Sequence, residues 1–313
     1  MLKNNPPKIS VLMSIYNGAK YLKEAVDSIL NQTFTNFEFI IINDGSTDAT
    51  DAILKSYSDP RLKIIANPVN LGLTKSLNIG LNAARGEYIA RQDTDDISLP
   101  NRLEIQFKFM ENHKEISLVG GSAILIDNQG EEIGRKIKPL EFSEIKFHSL
   151  LKNPFFHPSF FFKKEVIKKN GGYNENFPFA QDYELTSRLI HSGLKTANLR
   201  EPLIKYRVME NSITGNKETR KIQLELALRV SFNNCSRYLS LKEPGVSSLI
   251  KGVNRQKTGL LEMLKNLYNF HRLKKSFFKK ENLSAAEIKK IKKICHSEQK
   301  NIIVAFLKPS VKL

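Results

Sequence analysis

Three carboxylates lie within four residues of one another in the segment that follows the apolar run 88–90. Asp93, Asp95 and Asp96 come directly after this run, which predicts a strand that ends in an acidic loop. Like charges at this spacing repel one another unless a cation or a hydrogen-bond donor offsets them. Oxygen-rich sites suit Mg²⁺ or Mn²⁺, and both ions also bind phosphates. The loop is therefore a candidate metal site. The alternative is an acidic turn in which Asp96 caps the next helix.

Apolar strands alternate with helical patterns in the first hundred residues. The patterns predict strands near residues 8–15, 37–43, 62–65 and 86–90. Strands that are apolar throughout and alternate with helices indicate a parallel sheet covered on both faces. Polar residues follow the strand ends, and open α/β sheets bind ligands at the carboxyl ends of their strands. The sequence therefore predicts that ligands bind at that edge of the sheet.

Five segments recur in an order and at spacings that are informative together. They are SIYNGAKYL (14–22), INDGSTDAT (42–50), NLGLTKSLNIGL (70–81), GEYIARQDTDD (86–96) and the longer run 157–189. The set resembles the family 2 glycosyltransferases, which are inverting enzymes, and the resemblance covers about residues 7–210. It implies an α/β fold of the GT-A type, with a Rossmann-like, mostly parallel sheet flanked by helices. The chain is most similar to bacterial transferases that build capsule, exopolysaccharide or lipopolysaccharide.

The resemblance implies which residues contact the donor nucleotide. Ser14, Tyr16 and Asn17 would lie at the nucleotide end of the first strand, with the Tyr16 ring stacked on uracil or, alternatively, packed on the core. Asp44 would accept a hydrogen bond from the pyrimidine N–H, unless it is only a residue of an Asp-Gly turn. Lys75 could reach a phosphate or the base with its charge, and a lysine on a helix surface is the alternative.

The resemblance also implies that the acidic loop is a DxD motif that binds a divalent cation. Asp95 is then the strongest metal ligand, and Asp93 is expected at the ribose or at a metal-bound water. Asp96 is expected to be a local structural residue. Mg²⁺ or Mn²⁺ would bridge the diphosphate oxygens and stabilise the charge that develops on the departing nucleoside diphosphate.

Catalysis is assigned by the resemblance to Asp182, in the segment AQDYEL (180–185). Related enzymes usually carry Glu-Asp where this chain has Gln181-Asp182, and the aspartate is the expected base. The glutamine removes a neighbouring negative charge and could change how Asp182 titrates or positions the acceptor. Glu184 is a conceivable replacement, but two residues further along a helix it would point elsewhere. An Asp at a helix start can also be an ordinary cap.

The acceptor side is implied more weakly. His157 lies in a segment that matches the border of the acceptor cleft, although a histidine beside a proline can be purely structural. Gln181, next to the expected base, is the second candidate for acceptor contact. Tyr206-Arg207 resembles the closing Tyr-Arg segment of the family, but the histidine that often follows it is missing here.

Composition excludes several classes of protein. The chain has 313 residues, a length that suits one catalytic domain plus an appendage. Residues 1–7 lack the apolar core of a signal peptide, and no stretch approaches the roughly 18 apolar residues that suggest a membrane span. Cys235 and Cys295 are the only cysteines, which excludes a disulfide framework and a zinc quartet. These features predict a protein of the reducing cytoplasm.

The distribution of charge predicts a boundary after residue 215. Residues 216–313 carry 22 Lys and Arg against seven Glu, a net charge of +15, whereas residues 1–215 carry a net charge of only +2. We therefore predict a catalytic domain over residues 1–215 and a basic helical region over residues 216–313.

The basic region combines an apolar stripe with paired lysines. The apolar residues at helical spacing are Leu260, Met263, Leu264, Leu267 and Tyr268. This pattern is typical of a surface that contacts an anionic membrane, here the cytoplasmic face of the inner membrane. It is equally typical of a helical appendage that packs its stripe on the catalytic domain. Binding to nucleic acid is a third interpretation, but no recognised motif accompanies the charge.

Taken together, the sequence predicts a metal-dependent inverting glycosyltransferase. It would move a hexose or N-acetylhexosamine from a nucleoside-diphosphate sugar, most simply a UDP-sugar, to a hydroxyl of a growing, lipid-linked surface glycan. One alternative is a sugar transferase that acts on polyprenyl phosphate. Another is a non-catalytic scaffold that kept the fold and binds nucleotide sugars. A dinucleotide oxidoreductase is disfavoured because no G-x-G-x-x-G follows the first strand.

Overall fold

The computed structural model describes residues 6–208, 217–239, 243–254 and 256–307. Within these residues the strands are β1 Ile9–Ile15, β2 Phe37–Asn43, β3 Leu62–Ala66, β4 Tyr88–Gln92, β5 Ile97–Ser98, β6 Ile116–Ile126, β7 Glu132–Lys136, β8 Phe161–Lys163 and β9 Lys195–Arg207. The helices are α1 Ala19–Leu30, α2 Thr50–Lys55, α3 Leu73–Ala83, α4 Arg102–Asn112, α5 Phe142–His148, α6 Lys164–Lys169, α7 Gln181–His191, α8 Lys217–Ser236, α9 Glu243–Val253, α10 Leu260–Lys280 and α11 Ala285–Leu307.

The strands form one mixed sheet in the order β3-β2-β1-β4-β8-β6-β9-β5, with β7 paired to β6. Strands β3, β2, β1 and β4 are parallel, as the alternation of strands and helices predicts. Because Ile15 lies opposite Asn43 and Met13 lies opposite Gln92, the carboxyl ends of these strands meet at one edge. The polar segments that follow the strands are therefore brought together there.

Burial explains why the central strands carry no polar face. Every residue of β1, β2 and β4 is buried, and separate apolar clusters cover the two faces of the sheet. This confirms the predicted sheet covered on both faces. Strand β3 differs because it lies at the edge of the sheet, where none of its five residues is fully buried.

The second half of the sheet contains antiparallel pairs, and no local sequence motif predicts its strand pairing. The segment around His157 forms a 3₁₀ turn at His157–Ser159 and then β8, which pairs antiparallel with β4. The long strand β9 runs parallel to β6. Its end also pairs with β5, Ile97 lying opposite Lys205. This pairing brings Arg207 to the acidic loop.

The described residues beyond β9 are helical, which confirms the predicted helical extension. They share one apolar core with α5 and the segment that follows it, including Phe147, Leu150 and Leu151. The ring of Phe147 meets that of Phe277 edge to face, with centroids 5.1 Å apart. The predicted boundary at residue 215 lies outside the described residues. No helix within them is long and apolar enough to cross a membrane.

Candidate active site

The acidic loop is embedded among arginines. Asp93 pairs with Arg91, whose side chain is fully buried. Asp96 is also buried, and its Oδ1 accepts a hydrogen bond of 2.8 Å from the backbone N–H of Arg207. Arg102 is fully buried behind the loop and donates to the carbonyl of Arg91 over 2.6 Å. Asp93 is thus paired with a cationic side chain, whereas Asp96 is bound by a backbone N–H.

Asp95 is the carboxylate of the loop that has no such partner. Within the described residues its side chain receives no hydrogen bond from another residue, and burial followed by the negative charge of Asp93 raises its pKa to about 6. Asp93 and Asp95 line the same cavity. Two carboxylates at an open cavity fit a hard cation such as Mg²⁺ or Mn²⁺, which takes its remaining ligands from phosphate and water.

The cavity beside Asp95 has a volume of about 680 Å³, and we call it the Asp95 cavity. It brings together most of the residues expected to bind the donor. Those that line it are Ser14, Tyr16, Asn17, Asp44, Asp93 and Asp95. Lys75 is not among the lining residues and is exposed on α3. Residues that were not predicted to contact the donor also contribute to the wall, namely Tyr21, Asn128, Pro178 and Phe179.

Asp44 shapes the floor of this cavity through backbone contacts. Its Oδ1 accepts hydrogen bonds from Asn67 Nδ2 (2.7 Å) and the Leu71 N–H (2.9 Å), and its Oδ2 accepts one from the Gly72 N–H (2.9 Å). A carboxylate has about four acceptor sites, so one remains on Oδ2. Gly45 follows because its φ of +70° and the close backbone of Val69 leave no room for a Cβ.

Asn17 and Tyr16 have different environments at the end of β1. Asn17 has a positive φ of 50°, and its Oδ1 accepts a hydrogen bond of 2.8 Å from the Thr47 N–H. It therefore holds the loop after β2 against the loop after β1. The ring of Tyr16 is half exposed at the cavity. That exposure agrees with a surface available for stacking rather than with a ring packed in the core.

Arg207 connects several parts of the site that the sequence did not link. Its guanidinium donates to the carbonyls of Asp95 and Asp127, each over 3.0 Å, and pairs with Glu24 at 2.8 Å. It also lies over the ring of Tyr21 at 4.2 Å. The Tyr-Arg resemblance pointed to this residue, but only the pairing of β5 with β9 shows what it holds.

Asp182 lies in the first turn of α7, which begins directly after Ala180, a residue with a left-handed φ of 57°. Its Oδ2 accepts a hydrogen bond of 2.7 Å from Asn153 Nδ2, and its Oδ1 accepts one of 2.8 Å from the Tyr183 N–H. The amide of Asn153 is itself oriented, because its Oδ1 accepts a hydrogen bond of 3.1 Å from the Phe155 N–H. Asn153 therefore fixes the carboxylate of Asp182, a role the sequence did not reveal.

Burial and nearby charged residues shift the pKa of Asp182. Burial is the largest influence and raises its pKa, while the nearby Lys138 lowers it and Asp93 raises it. Asp182 is therefore within electrostatic reach of the acidic loop. Glu184 instead points away, and both of its carboxylate oxygens bind Arg188 at 2.9 Å.

The two residues expected to contact the acceptor lie elsewhere. His157 is buried, with Nε2 3.0 Å from the Tyr173 hydroxyl and its ring against Phe160, and burial keeps its pKa well below the usual value. Gln181 is also buried. Neither residue lines the Asp95 cavity or a second cavity, which is lined by Asp182. We call this second space, of about 770 Å³, the Asp182 cavity.

Comparison with known proteins places these features in a wider group. The family described as "Glycosyl transferase family 2" matches residues 10–171. An uncharacterized glycosyltransferase of Haemophilus influenzae is 35% identical over 249 residues, which are 75% of this chain and 76% of that protein. The O-antigen biosynthesis glycosyltransferase WbnJ of Escherichia coli is 36% identical over 240 residues, which are 75% of this chain and 88% of that protein.

Solved structures share the fold at low sequence identity. TarS 1-349 of S. aureus in complex with UDP-GlcNAc has a TM-score of 0.58 at 18% identity, covering 96% of this chain and 89% of that one. The mannosyltransferase PcManGT of Pyrobaculum calidifontis, in complex with GDP-Man and Mn²⁺, has a TM-score of 0.59 at 15% identity, covering 96% and 86%. The chain spans 54% of the longer TarS structure. The predicted GT-A-type α/β fold is thereby confirmed.

Proposed function

The chain belongs to glycosyl transferase family 2, and from that premise we propose that it transfers a sugar with inversion from a nucleoside-diphosphate donor to a hydroxyl of a surface glycan. One observation carries the proposal. The carboxylate of Asp182 is held by two hydrogen bonds and lies within electrostatic reach of the acidic loop, which lines the Asp95 cavity. Donor and acceptor can then meet between the two cavities. The name of the relative WbnJ supports a role in polysaccharide synthesis.

The Asp95 cavity is the proposed donor site. The half-exposed ring of Tyr16 offers a stacking surface for uracil, with Ser14 beside it, and the remaining acceptor site on Asp44 Oδ2 can receive a pyrimidine N–H. Asn17 acts by holding the surrounding loops. The complexes of distant structures with UDP-GlcNAc and GDP-Man support a nucleotide-sugar donor without fixing its identity. Lys75 stays a prediction, because reaching the nucleotide would require its exposed side chain to turn towards the cavity.

Asp95 and Asp93 would hold a divalent cation, Mg²⁺ or Mn²⁺. When bound, such an ion neutralises charge on the diphosphate. Asp95 is the principal ligand in this proposal because no other residue donates to its carboxylate within the described chain, whereas Asp93 is already paired with Arg91. The Mn²⁺ in the distant mannosyltransferase supports the choice of a divalent metal.

Asp182 is the proposed general base. The acceptor hydroxyl gives its proton to a carboxylate oxygen of Asp182 while its own oxygen forms the bond to the anomeric carbon. The bond from that carbon to the diphosphate oxygen breaks in the same in-line step, which inverts the configuration. Asn153 keeps the carboxylate oriented for this transfer. Gln181 and His157 are buried behind the reacting groups, so any influence on the acceptor would be indirect.

The decisive experiment is donor turnover by the purified full-length protein. A screen of UDP-, GDP- and dTDP-sugars with Mg²⁺ or Mn²⁺ should give nucleotide release that depends on Asp182. A scaffold protein would release none above background. A transferase for polyprenyl phosphate would not need Asp182, because its acceptor is already anionic. Transfer to a neutral sugar hydroxyl therefore separates the two enzymatic alternatives.

The proposal includes contact with an anionic membrane at the cytoplasmic face, through α10. The predicted stripe divides between two sides of this helix, since Met263 is buried in the core whereas Leu260, Leu264 and Tyr268 are each more than half exposed. Leu261 is exposed beside them. The same outer face continues with exposed basic residues, which are Arg272, Lys275 and Lys279.

Such a face combines apolar groups that can enter a lipid surface with cations that attract its head groups. The other side of α10 packs into the apolar core through Phe270 and Phe277. This packing supports the alternative prediction of a helical appendage. One helix can therefore serve both roles, and residues 216–313 would form a membrane-facing region attached to the catalytic domain of residues 1–215.

A further inference from the structure

The Asp182 cavity lies between two parts of the chain. One wall comes from residues 151–153 and from Ala180, Asp182 and Tyr183. The opposite wall comes from α8 and from the end of α9. The family match ends at residue 171, so this opposite wall lies outside it. The Asp95 cavity, in contrast, is lined mostly by residues inside the match. The opposite wall is therefore where this chain can differ from its relatives.

Helix α8 presents a single face to the cavity. Its lining residues are Arg220, Gln223, Leu224, Ala227 and Leu228. Their spacing of three and four residues places them along one side of the helix. The polar members come first along the chain and the apolar members follow. This face therefore offers a charged end and an apolar end to whatever occupies the cavity.

The charge of the lining is strongly unequal. Among the residues that the structure describes, Asp182 is the one acidic residue that lines the cavity, whereas Lys152, Arg220 and Lys257 are basic. Lys152 pairs with Glu298 at 2.7 Å. Arg220 has no ion pair within the part of the chain that the structure describes. The guanidinium of Arg220 is therefore available to a ligand.

Lysines behind the wall add to the same excess of positive charge. Lys138 donates to the carbonyl of Asn153 over 3.1 Å. Burial is the main influence that disfavours the charged form of Lys138, and the positive charges of Lys136 and Lys152 add to it. Together they lower the pKa of Lys138 to about 7. Cations held this close repel one another, and a bound anion would offset the repulsion.

We propose that the Asp182 cavity binds the acceptor and that Arg220 selects an acceptor bearing a phosphate group. The inference rests on the proposed function, because it places the reacting hydroxyl at Asp182. Arginine suits this role since its planar group donates two parallel hydrogen bonds to phosphate oxygens. Leu224 and Leu228 would contact the apolar part of the same ligand. The phosphate can belong to a lipid head group or to a phosphodiester within the glycan.

Direct binding to the full-length protein tests the proposal. With UDP and Mg²⁺ saturating the Asp95 cavity, calorimetry would measure farnesyl phosphate as the head-group probe, glycerophosphoglycerol as the phosphodiester probe and octyl glucoside as the uncharged probe. We expect one phosphate probe to bind more tightly than octyl glucoside. Arg220→Gln should weaken that binding about 10-fold, the size of one lost charge-assisted hydrogen bond. Arg220→Lys should restore part of it.

Lys221→Gln is the matched control, because Lys221 is exposed on the same helix and does not line the cavity. Equal effects of the two glutamine variants would overturn the proposal by showing that only net charge matters. Absence of a preference for phosphate in the wild-type protein would overturn it as well, even if Arg220→Gln failed to fold. Donor hydrolysis by the wild-type protein, measured in parallel, decides the proposed function separately.

Discussion

The Asp95 cavity and the Asp182 cavity are built in different ways. The Asp95 cavity is formed mainly by short loops at the carboxyl edge of the parallel strands, and its polar groups are held by nearby backbone, as Asp44 is by Leu71 and Gly72. The Asp182 cavity is formed where α8, the end of α9 and the residues after it approach the segments that contain Asn153 and Asp182. The first can be recognised from local sequence, whereas the second depends on packing between distant segments. A family can therefore keep one ligand site while changing the other.

The largest effect should come from Asp182, the proposed general base. Asp182→Asn should slow turnover by roughly 10²- to 10⁴-fold, the usual range for a positioned base, with donor affinity little changed. Steady-state kinetics together with UDP calorimetry measures both quantities. Glu184→Gln is the control, since that carboxylate is bound to Arg188. Near-normal turnover of Asp182→Asn would show that Asp182 is not the general base.

Ligand binding in the Asp95 cavity can be tested separately from the role of Asp182. Asp95→Ala should reduce metal-dependent UDP binding by about 10²-fold or more, because it removes the carboxylate left free for a cation. Calorimetry with and without Mn²⁺ checks this, and a thermal unfolding curve confirms that the fold is intact. If UDP affinity in Mn²⁺ matched that of the wild type, Asp95 would not be a ligand.

The outer face of α10 should affect membrane binding but neither cavity. The double substitution Leu261→Glu and Leu264→Glu should lower co-sedimentation with anionic vesicles at least tenfold, since each buried leucine contributes on the order of 1.5–3 kcal/mol. High salt should release the wild-type protein as screening increases. Glutamates at Ile133 and Ile137, which are exposed to a similar degree outside the helical region, provide the control. Equal loss in both variants would mean that added negative charge alone explains the result.

The smallest effect is expected from a substitution of Asn153. Asn153→Ala removes a hydrogen bond to the charged form of Asp182, so the pKa of Asp182 should rise further above its ordinary value. Because the base works when deprotonated, the acidic limb of the pH–rate profile should move to higher pH, and turnover near neutrality should fall about tenfold at most. An unchanged profile would make Asn153 a purely structural residue. Asn31→Ala, on a distant helix end, controls for general destabilisation.

The same contrast explains how much the sequence could predict. The placement of Asp93 and Asp95 followed from the rule that parallel strands present their carboxyl ends at one edge, and no long-range information was needed. The functions of Asn153 and Arg207 could not be predicted in this way, because their partners are 29 and 112 residues away. The acceptor predictions for His157 and Gln181 relied on motif position alone. A local motif cannot show that the imidazole packs against Tyr173.

The arginines around the acidic loop have a thermodynamic consequence. Asp93, Asp95, Asp96 and Glu24 stand against Arg91, Arg102 and Arg207, so the region carries little net charge before any ligand arrives. A divalent cation alone would leave surplus positive charge, and a diphosphate alone would leave surplus negative charge. Together they nearly cancel. We therefore expect positive cooperativity in which the nucleotide raises the affinity for the metal by the same factor as the metal raises the affinity for the nucleotide.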